Sequence, residues 1–246
     1  MADAVVIPTF NEAANIERLV REILALGLGL DVIVVDDNSP DGTGDLVEAL
    51  GREDGHVQLV RRPRKLGLGT AHIAGFHRAL AGEADHIITL DADFSHRPHY
   101  IPKLLRAARC YDVVIGSRYV PGGGARFCTA NRRLLSRGAN AFARIALGLE
   151  ANDCTAGFRC YRRAVLEAVD LDGIFSDGYS FLIELLYRCQ RLGFRVGEVP
   201  IVFENRQCGA SKISRDEILR ANYTVVRLAG ERLLGFGAVP RQRREA

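Results

Sequence analysis

The first half of the chain alternates short, almost uninterrupted apolar runs with longer segments of helical periodicity. The apolar runs lie at residues 4–7, 32–35, 57–60, 87–90 and 113–115, and they predict five strands. Strands that are apolar along their whole length are covered on both faces, which is typical of a parallel sheet flanked by helices. We therefore predict an α/β fold, in which ligands bind beyond the carboxyl ends of the strands.

Charged and polar residues follow four of these strands directly, so the predicted sheet gathers them at one edge. In chain order they are Asn11 and Glu12, Asp36 and Asp37, Asp91 and Asp93, and Arg118. Taken singly, such residues are ordinary helix starters and turn residues. Their convergence at one edge of one sheet instead favours a site for a nucleotide-type ligand.

The run Asp91-Ala92-Asp93 is the most informative of these clusters, because it places two carboxylates one residue apart at a strand end. Two carboxylates cannot face a diphosphate directly, since all three groups are negative. A hard divalent cation such as Mg²⁺ can bind the carboxylates and the diphosphate at the same time. It also stabilises a diphosphate leaving group as negative charge builds on it. The run therefore predicts transfer of a group from a nucleotide-activated donor.

The sequence lacks the features of several other functional classes. It has no Gly-x-x-x-x-Gly-Lys-Ser/Thr loop, and the glycine-rich residues 67–71 lack the spacing and following acid of a dinucleotide-binding fold. We interpret that loop as a helix entry with close backbone packing. The net charge of +3, without a basic face of interleaved aromatic residues, argues against nucleic acid. The six cysteines form no Cys-x-x-Cys pair and predict no zinc site.

The alternation becomes less regular after Gly116. Helices are predicted at 133–147, 180–192 and 216–236, a strand at 196–199 that 201–203 could continue, and lids at 119–127 and 205–214. We divide the chain into a catalytic domain (1–214), an amphipathic helix (215–238) and a basic tail (239–246). The last helix has two interpretations, because its mixture of apolar residues and arginines suits either packing on the core or lying on an anionic membrane.

Eight segments spread over nearly the whole catalytic region carry a family resemblance. They are IPTFNEAANI (7–16), VVDDNSPDGT (34–43), RPRKLGLGTA (62–71), DADFSHRP (91–98), IGSRYVPGG (115–123), RRLLSRGAN (132–140), DCTAGFRCYRRAVLE (153–167) and EVPIVFENRQCGASK (198–212). On these segments the chain resembles the A-fold glycosyltransferases of family 2, and more closely the polyprenol (dolichol) phosphate mannose synthases. The resemblance implies a GT-A (nucleotide-diphospho-sugar transferase) fold with a mostly parallel central sheet flanked by helices.

The resemblance also implies a donor site for GDP-mannose. Its residues would be Pro8, Phe10, Glu12, Val35, Asp37, Asp91, Ala92, Asp93, Arg118, Arg206 and Lys212. The first five would contact the nucleoside, Asp91 and Asp93 would hold Mg²⁺ or Mn²⁺ with the diphosphate, and the basic residues would neutralise the phosphates. Asp91, Asp93 and Arg118 would be the catalytic residues. Some relatives have a Gln as a third metal ligand where this chain has Ser95, which is a poorer ligand.

The implied acceptor is a polyprenyl phosphate, whose phosphate would be received by Arg132 and Ser136, with Arg133 or Arg137 as alternatives to the arginine. A monophosphate has a second pKa near 6, so it is largely a dianion at neutral pH and is nucleophilic without a general base. We therefore interpret His96 and His99 as supporting or surface residues. A single in-line displacement predicts inversion at the anomeric carbon.

The predicted location follows from a membrane-embedded acceptor in a chain without a membrane span. No apolar run approaches the ~18–20 residues that cross a bilayer, and no signal peptide is visible. We therefore expect a cytoplasmic protein, peripheral on the cytoplasmic face of a membrane. It would reach that membrane through its last helices or through an anchoring partner protein.

Three alternatives remain open at this point. One is transfer of glucose or another sugar from a UDP-sugar to the same lipid, or transfer to a soluble phosphorylated acceptor. Another is a noncatalytic subunit that retains the GT-A fold. Such a subunit would be expected to lose its catalytic acids and phosphate-binding basic residues first, and this chain keeps Asp91, Asp93, Arg118, Arg206 and Lys212. The third, a Rossmann dehydrogenase, lacks its glycine fingerprint.

Overall fold

The computed structural model describes residues 2–126, 130–204 and 215–233, without the side chains of Ala2, 130–135, 215–219 and Leu233. Its strands are β1 Ala2–Thr9, β2 Leu30–Asp36, β3 Val57–Arg61, β4 Ala84–Thr89, β5 Val113–Ser117, β6 Gly124–Arg126, β7 Arg159–Arg162, β8 Val196–Pro200 and β9 Val202–Glu204. Its helices are α1 Ala13–Leu24, α2 Thr43–Glu53, α3 Leu68–Leu80, α4 Ile101–Ala107, α5 Ala130–Leu147, α6 Arg163–Ala168, α7 Tyr179–Arg191 and α8 Arg215–Leu233.

Seven strands form one sheet in the order β3-β2-β1-β4-β7-β5-β8. The strands pair in parallel except for β7, which runs antiparallel between β4 and β5. The predicted α/β fold with a mostly parallel sheet is confirmed. The strand β7 was not predicted, because its sequence Arg-Cys-Tyr-Arg carries charge at both ends and shows no apolar run.

The chain leaves the large sheet after Pro200. Residues 201–203 were predicted to continue β8, but Val202–Glu204 pairs instead with Gly124–Arg126 in a separate two-stranded parallel sheet. Proline has no N–H to donate to a neighbouring strand. Ile201 makes the transition, since its N–H donates to Ser117 O of β5 and its carbonyl accepts from Gly124 N. This small sheet brings the loop after β5 beside the DADFSH segment, where Glu204 N donates to Ser95 O.

The sheet separates two apolar cores, and alternate residues of β1 supply them. Ala4 and Val6 face the core that contains α3, α5 and α7, whereas Val5 and Ile7 face the core that contains α1, α2 and α4. This alternation is the two-residue period of a strand covered on both faces. The resulting three-layer arrangement leaves the carboxyl edge of the sheet open to loops.

Helix α8 packs on the same core as α5 and α7 through Val225 and Leu228, as one of its two interpretations predicted. Its other face carries Tyr223 and Val226, which are exposed. The division of the chain at residue 214 stays a prediction. None of the described helices is long and apolar enough to cross a membrane.

Candidate active site

Three loops at the carboxyl edge of the sheet carry strained backbone. Among the described non-glycine residues, only Asn11, Asn38 and Phe94 have positive φ, at 58°, 56° and 59°. They follow β1, β2 and β4 respectively. A bulky aromatic residue such as Phe94 rarely adopts this conformation, and such strain is typical of ligand-binding loops.

The loops after β1 and β2 are joined by hydrogen bonds from backbone N–H groups to side chains. Asn11 N donates to Ser39 Oγ (2.9 Å), Glu12 N to Thr43 Oγ1 (2.9 Å) and Ala13 N to Asp41 Oδ2 (3.0 Å). The start of α1 is therefore held against the start of α2. This contact fixes the two loops against each other at the carboxyl edge of the sheet.

Asp36 and Asp37 are adjacent but have different partners. Asp36 is fully buried and accepts hydrogen bonds from the N–H and hydroxyl of Ser39, so it shapes the turn. Asp37 Oδ2 accepts from Leu66 N (3.0 Å) and Gly67 N (3.2 Å), which ties the loop after β3 to the site.

The second oxygen of Asp37 is buried without a hydrogen bond in the described part of the chain. Arg62 Nη1 lies 3.0 Å from this Oδ1, close enough for an ion pair, although its N–H groups point to Gly67 O and Thr70 Oγ1. Sequence reasoning did not single out Arg62, although its segment carries the family resemblance. Asp37 is therefore held by contacts within the protein at both of its carboxylate oxygens.

The other residues predicted to contact a nucleoside lie on β1, on β2 or in the loop after β1. Pro8 and Val35 are buried neighbours on β1 and β2, and the side chain of Val35 packs in the core. Phe10 has Lys65 Nζ 4.4 Å from its ring centre. Glu12 is buried, and its Oε2 accepts from Asn15 Nδ2. Their roles toward a nucleoside stay predictions.

The two acids of the DADFSH segment lie just beyond β4, as predicted. Ser95 N donates to Asp93 Oδ1 (3.0 Å), and the side chain of Ala92 is buried in the apolar core that contains α1 and α4. Gly157 stands behind Asp91, where an added Cβ would be 3.3 Å from Oδ1. The loop before β7 therefore lies close to the first acid, and a side chain at position 157 would require the Asp91 carboxylate to shift.

His96 is buried beside these acids, with its Nδ1 3.4 Å from Asp91 Oδ2 and its ring against Phe158 and Phe203. Burial lowers the pKa of His96 to about 4, although Asp93 opposes this shift. The imidazole is therefore neutral at pH 7, and its role as a supporting residue stays a prediction. His99 is exposed, as a surface residue would be.

Arg118 forms a two-pronged ion pair with Asp153, which sequence reasoning missed. Nε donates to Asp153 Oδ2 and Nη2 to Oδ1, both at 2.7 Å, and Nη2 also donates to Thr155 Oγ1 (2.9 Å). Burial alone would raise the pKa of Asp153, but the bonds from Arg118 hold it below its ordinary value. Asp153 therefore stays charged and fixes the direction of the guanidinium.

A cavity of about 620 Å³ opens between the loop after β5 and helix α5. Three arginines, Arg118, Arg137 and Arg144, line it, together with Asn140 and Asn152. Beside it, the Tyr119 hydroxyl and Ser136 Oγ share a hydrogen bond of 2.7 Å. Ser136 is therefore close to the cavity, and Arg137 faces it as the alternative to Arg132.

Three predicted phosphate-binding residues cannot be placed. Arg206 and Lys212 lie outside the described residues, as do the whole predicted lid 205–214 and the tail 239–246, and the side chain of Arg132 is not described. The predicted lid at 119–127 is described as far as Arg126. Within the described residues no group of three or more His, Cys, Asp or Glu side chains converges on one metal position. The carboxylates of Asp91 and Asp93 are nevertheless hard oxygen ligands that suit a cation sharing its remaining positions with a diphosphate and water.

This sheet, with two acids beyond β4 and strained loops beyond β1 and β2, defines the GT-A class of nucleotide-diphospho-sugar transferases. Residues 4–170 match the family model described as glycosyl transferase family 2. The chain therefore belongs to glycosyl transferase family 2, and the predicted family and fold are confirmed.

Curated relatives and a solved structure agree with this placement. The chain is 43% identical over 222 residues to the undecaprenyl-phosphate mannosyltransferase of Micrococcus luteus, covering 90% of this chain and 91% of that one. It is also 43% identical over 223 residues to the polyprenol monophosphomannose synthase of Mycolicibacterium smegmatis, covering 90% and 84%. The glucosyl-3-phosphoglycerate synthase of Mycobacterium tuberculosis, crystallised with Mn²⁺, UDP and glucosyl-3-phosphoglycerate, shares the fold (TM-score 0.67, 24% identity, covering 93% and 80%).

Proposed function

We propose that this protein is an inverting mannosyltransferase that moves mannose from GDP-mannose to a polyprenyl phosphate. One observation carries the proposal: the Asp91–Asp93 pair and the arginine-lined cavity occur together in a chain 43% identical, over 90% of its length, to two relatives named for this reaction. The bond between the anomeric carbon and the diphosphate breaks, a bond to an oxygen of the lipid phosphate forms, and GDP leaves.

A divalent cation, Mg²⁺ or Mn²⁺, would be held by Asp91 and Asp93. When bound, it supplies positive charge that stabilises the departing diphosphate. Asp93 is oriented by the hydrogen bond from Ser95 N, and Asp91 is contacted by His96 Nδ1, so the protein holds both carboxylates before a ligand arrives. Phe10, Glu12 and Asp37 bind the nucleoside, and Arg206 and Lys212 neutralise the donor phosphates.

The acceptor phosphate enters the cavity between the loop after β5 and α5. Arg137 and Arg144 compensate its charge, and Ser136 lies beside the cavity; Arg132 assists from the preceding turn of α5. Arg118 lines the same cavity and neutralises the donor phosphates from there. Two mutually repelling phosphates must be held in line across one carbon, so catalysis consists of positioning and electrostatic compensation. The neutral His96 is not needed as a base, since the attacking phosphate is already a dianion.

The proposal places the protein at the cytoplasmic face of a membrane, where both a soluble nucleotide sugar and a lipid phosphate are accessible. Contact with that membrane is peripheral, directly or through an anchoring partner protein. A soluble donor and an embedded acceptor require a chain that meets the bilayer from one side.

The experiment that tests the proposal supplies GDP-[¹⁴C]mannose or UDP-[¹⁴C]glucose in parallel, with polyprenyl phosphate and Mg²⁺ or Mn²⁺. We expect lipid-extractable label from GDP-mannose and background from UDP-glucose. Mild acid should release mannose from the product, because a glycosyl phosphate is acid-labile. Label from UDP-glucose alone would show that the protein transfers glucose instead of mannose. The absence of a lipid product with both donors would refute the proposal.

Replacing Asp153 with Asn is expected to lower kcat/KM about a hundredfold, since the Arg118 guanidinium loses the charge that fixes it. Stability should fall as well, because Arg118 is left largely buried without its counter-charge. The matched control is Thr155→Val, which removes one neutral partner of the same guanidinium and should cost less than about tenfold. Equal effects of the two variants would show that the ion pair does not position Arg118.

A further inference from the structure

A closed circuit of hydrogen bonds joins the loop after β5 to helix α5 beside the arginine-lined cavity. The Tyr119 hydroxyl bonds to Ser136 Oγ (2.7 Å), and one turn further along α5 Asn140 Nδ2 donates to Ser136 O (2.9 Å). The same Nδ2 donates to Thr155 Oγ1 (3.2 Å), which also accepts from Arg118 Nη2 (2.9 Å). Because Arg118 directly precedes Tyr119 in the chain, the circuit closes on itself.

Asn140 is the residue through which α5 reaches the loop before β7. Its side chain is buried, and its Oδ1 accepts from Cys154 N at 2.7 Å, in addition to the two bonds that Nδ2 donates. An amide has one accepting end and one donating end, and here each end meets groups of the opposite kind. A hydrocarbon side chain of similar size can form none of these bonds. Asn140 therefore fixes α5 to the loop that carries both partners of Arg118.

The circuit restrains the Arg118 guanidinium in addition to its ion pair with Asp153. The guanidinium carbon lies 5.1 Å from the centre of the Tyr119 ring and 5.4 Å from the centre of the Phe203 ring, within the range of cation–π contacts. Tyr119 is itself tied to α5 through Ser136. These contacts leave the guanidinium little freedom to turn, so the protein sets the spacing between Arg118 and α5 before a ligand binds.

We propose that this circuit, with Asn140 at its centre, sets the spacing between the donor phosphates and the acceptor phosphate. The inference rests on the proposed function, in which Arg118 neutralises the donor phosphates and Ser136 lies beside the acceptor phosphate. In-line displacement requires the attacking and leaving oxygens on opposite sides of one carbon, and a misplacement of about 1 Å can lower the rate about a hundredfold. Asn140 and the Tyr119 hydroxyl are therefore positioning groups that exchange no proton with either substrate.

Two variants test the proposal with GDP-mannose, Mn²⁺ and a short-chain, water-soluble isoprenyl phosphate. Tyr119→Phe removes only the hydroxyl and should lower kcat for transfer about tenfold, whereas Asn140→Leu removes both amide ends and should lower it about a hundredfold. Affinity for GDP with Mn²⁺, measured by calorimetry, should stay within about twofold, because neither side chain belongs to the proposed donor site. Water attacks the donor more often when the acceptor is misplaced, so the ratio of free mannose to transferred mannose should rise in both variants.

The matched control for the lost hydroxyl is Tyr111→Phe, since Tyr111 is 40% exposed and lies between α4 and β5, outside the circuit. It should leave turnover and the ratio of hydrolysis to transfer within about twofold of the unmodified protein. Asn140 is buried, so thermal unfolding should establish that Asn140→Leu is folded at the assay temperature. Tyr119→Phe carries the test by itself if Asn140→Leu is not folded.

The ratio of hydrolysis to transfer separates positioning from a merely structural role. An unchanged ratio in the folded variants would overturn the proposal, as would a fall in GDP affinity large enough to account for the whole loss of rate. Normal transfer by both variants would refute this inference alone. An unmodified protein that transfers no mannose to the isoprenyl phosphate would refute the proposed function together with the inference.

Discussion

Asp91→Asn and Asp93→Asn are each expected to lower the rate of mannosyl transfer by about a thousandfold or more. Each substitution keeps the shape of the side chain but removes a charge that, in the proposed mechanism, would hold the cation against the diphosphate, and such electrostatic contributions are among the largest in catalysis. Folding should change little, because Asp91 is a third exposed and both acids lie in a loop rather than in the core. Affinity for Mn²⁺ in the presence of GDP, measured by calorimetry, should fall in parallel with turnover.

The matched control for these variants is Asp172→Asn, a change at an acid that is 78% exposed and distant in sequence from the DADFSH segment. It should leave turnover and Mn²⁺ affinity within about twofold of the unmodified protein. A large loss of thermal stability with retained turnover in Asp91→Asn or Asp93→Asn would show that the acids are structural. Loss of turnover with unchanged Mn²⁺ affinity would show that the two acids are needed for catalysis but do not bind the metal.

The strands and the acids could be predicted because their signals are local. Val32 to Val35 is apolar without interruption, and a strand covered on both faces requires such a run. The acids after β4 follow such a run directly, so their place at the edge follows from the direction of the chain alone. Two strands were missed. The three residues of β6 lie in the glycine-rich segment predicted as a lid. The strand β7 pairs with strands that are distant in the chain, and its four residues with charged ends carry no periodicity.

The partners of the site residues were less accessible to sequence reasoning. Asp153 and Arg118 are 35 positions apart, and Arg62 meets Asp37 through a turn whose geometry depends on Gly67. Arg62 is one of four basic residues between Arg61 and Lys65, and Asp153 follows Asn152 in a short polar stretch, so neither stands out in the sequence and neither specifies its partner. Gly67 has φ of +106°, and a Cβ there would be 2.3 Å from Asp177 Oδ2, so the expected close backbone packing of this loop is observed.

Arg159 is the clearest case of a residue whose importance only the three-dimensional contacts reveal. It lies on β7 with no exposed surface, and its guanidinium donates to Ala156 O (2.8 Å), Leu182 O (2.8 Å) and Cys154 O (2.7 Å). These bonds hold the loop that carries Asp153 and Gly157. The loop therefore links the buried guanidinium of Arg159 to the Arg118–Asp153 ion pair and to the surroundings of Asp91.

Replacing Arg159 with Leu is expected to lower the free energy of unfolding by about 4 kcal/mol, because three buried carbonyls lose their donor. The melting temperature should fall by about 8–16 °C, which is the shift expected for a chain of this length. Arg162→Leu is the matched control on the same strand: it is 41% exposed and pairs with Asp112 at 3.1 Å, so its loss should cost less than about 1 kcal/mol. Equal destabilisation of the two proteins in thermal or urea unfolding would contradict this role. Below its melting temperature, Arg159→Leu should also lose turnover, since the loop that positions Asp153 and backs Asp91 depends on the same three hydrogen bonds.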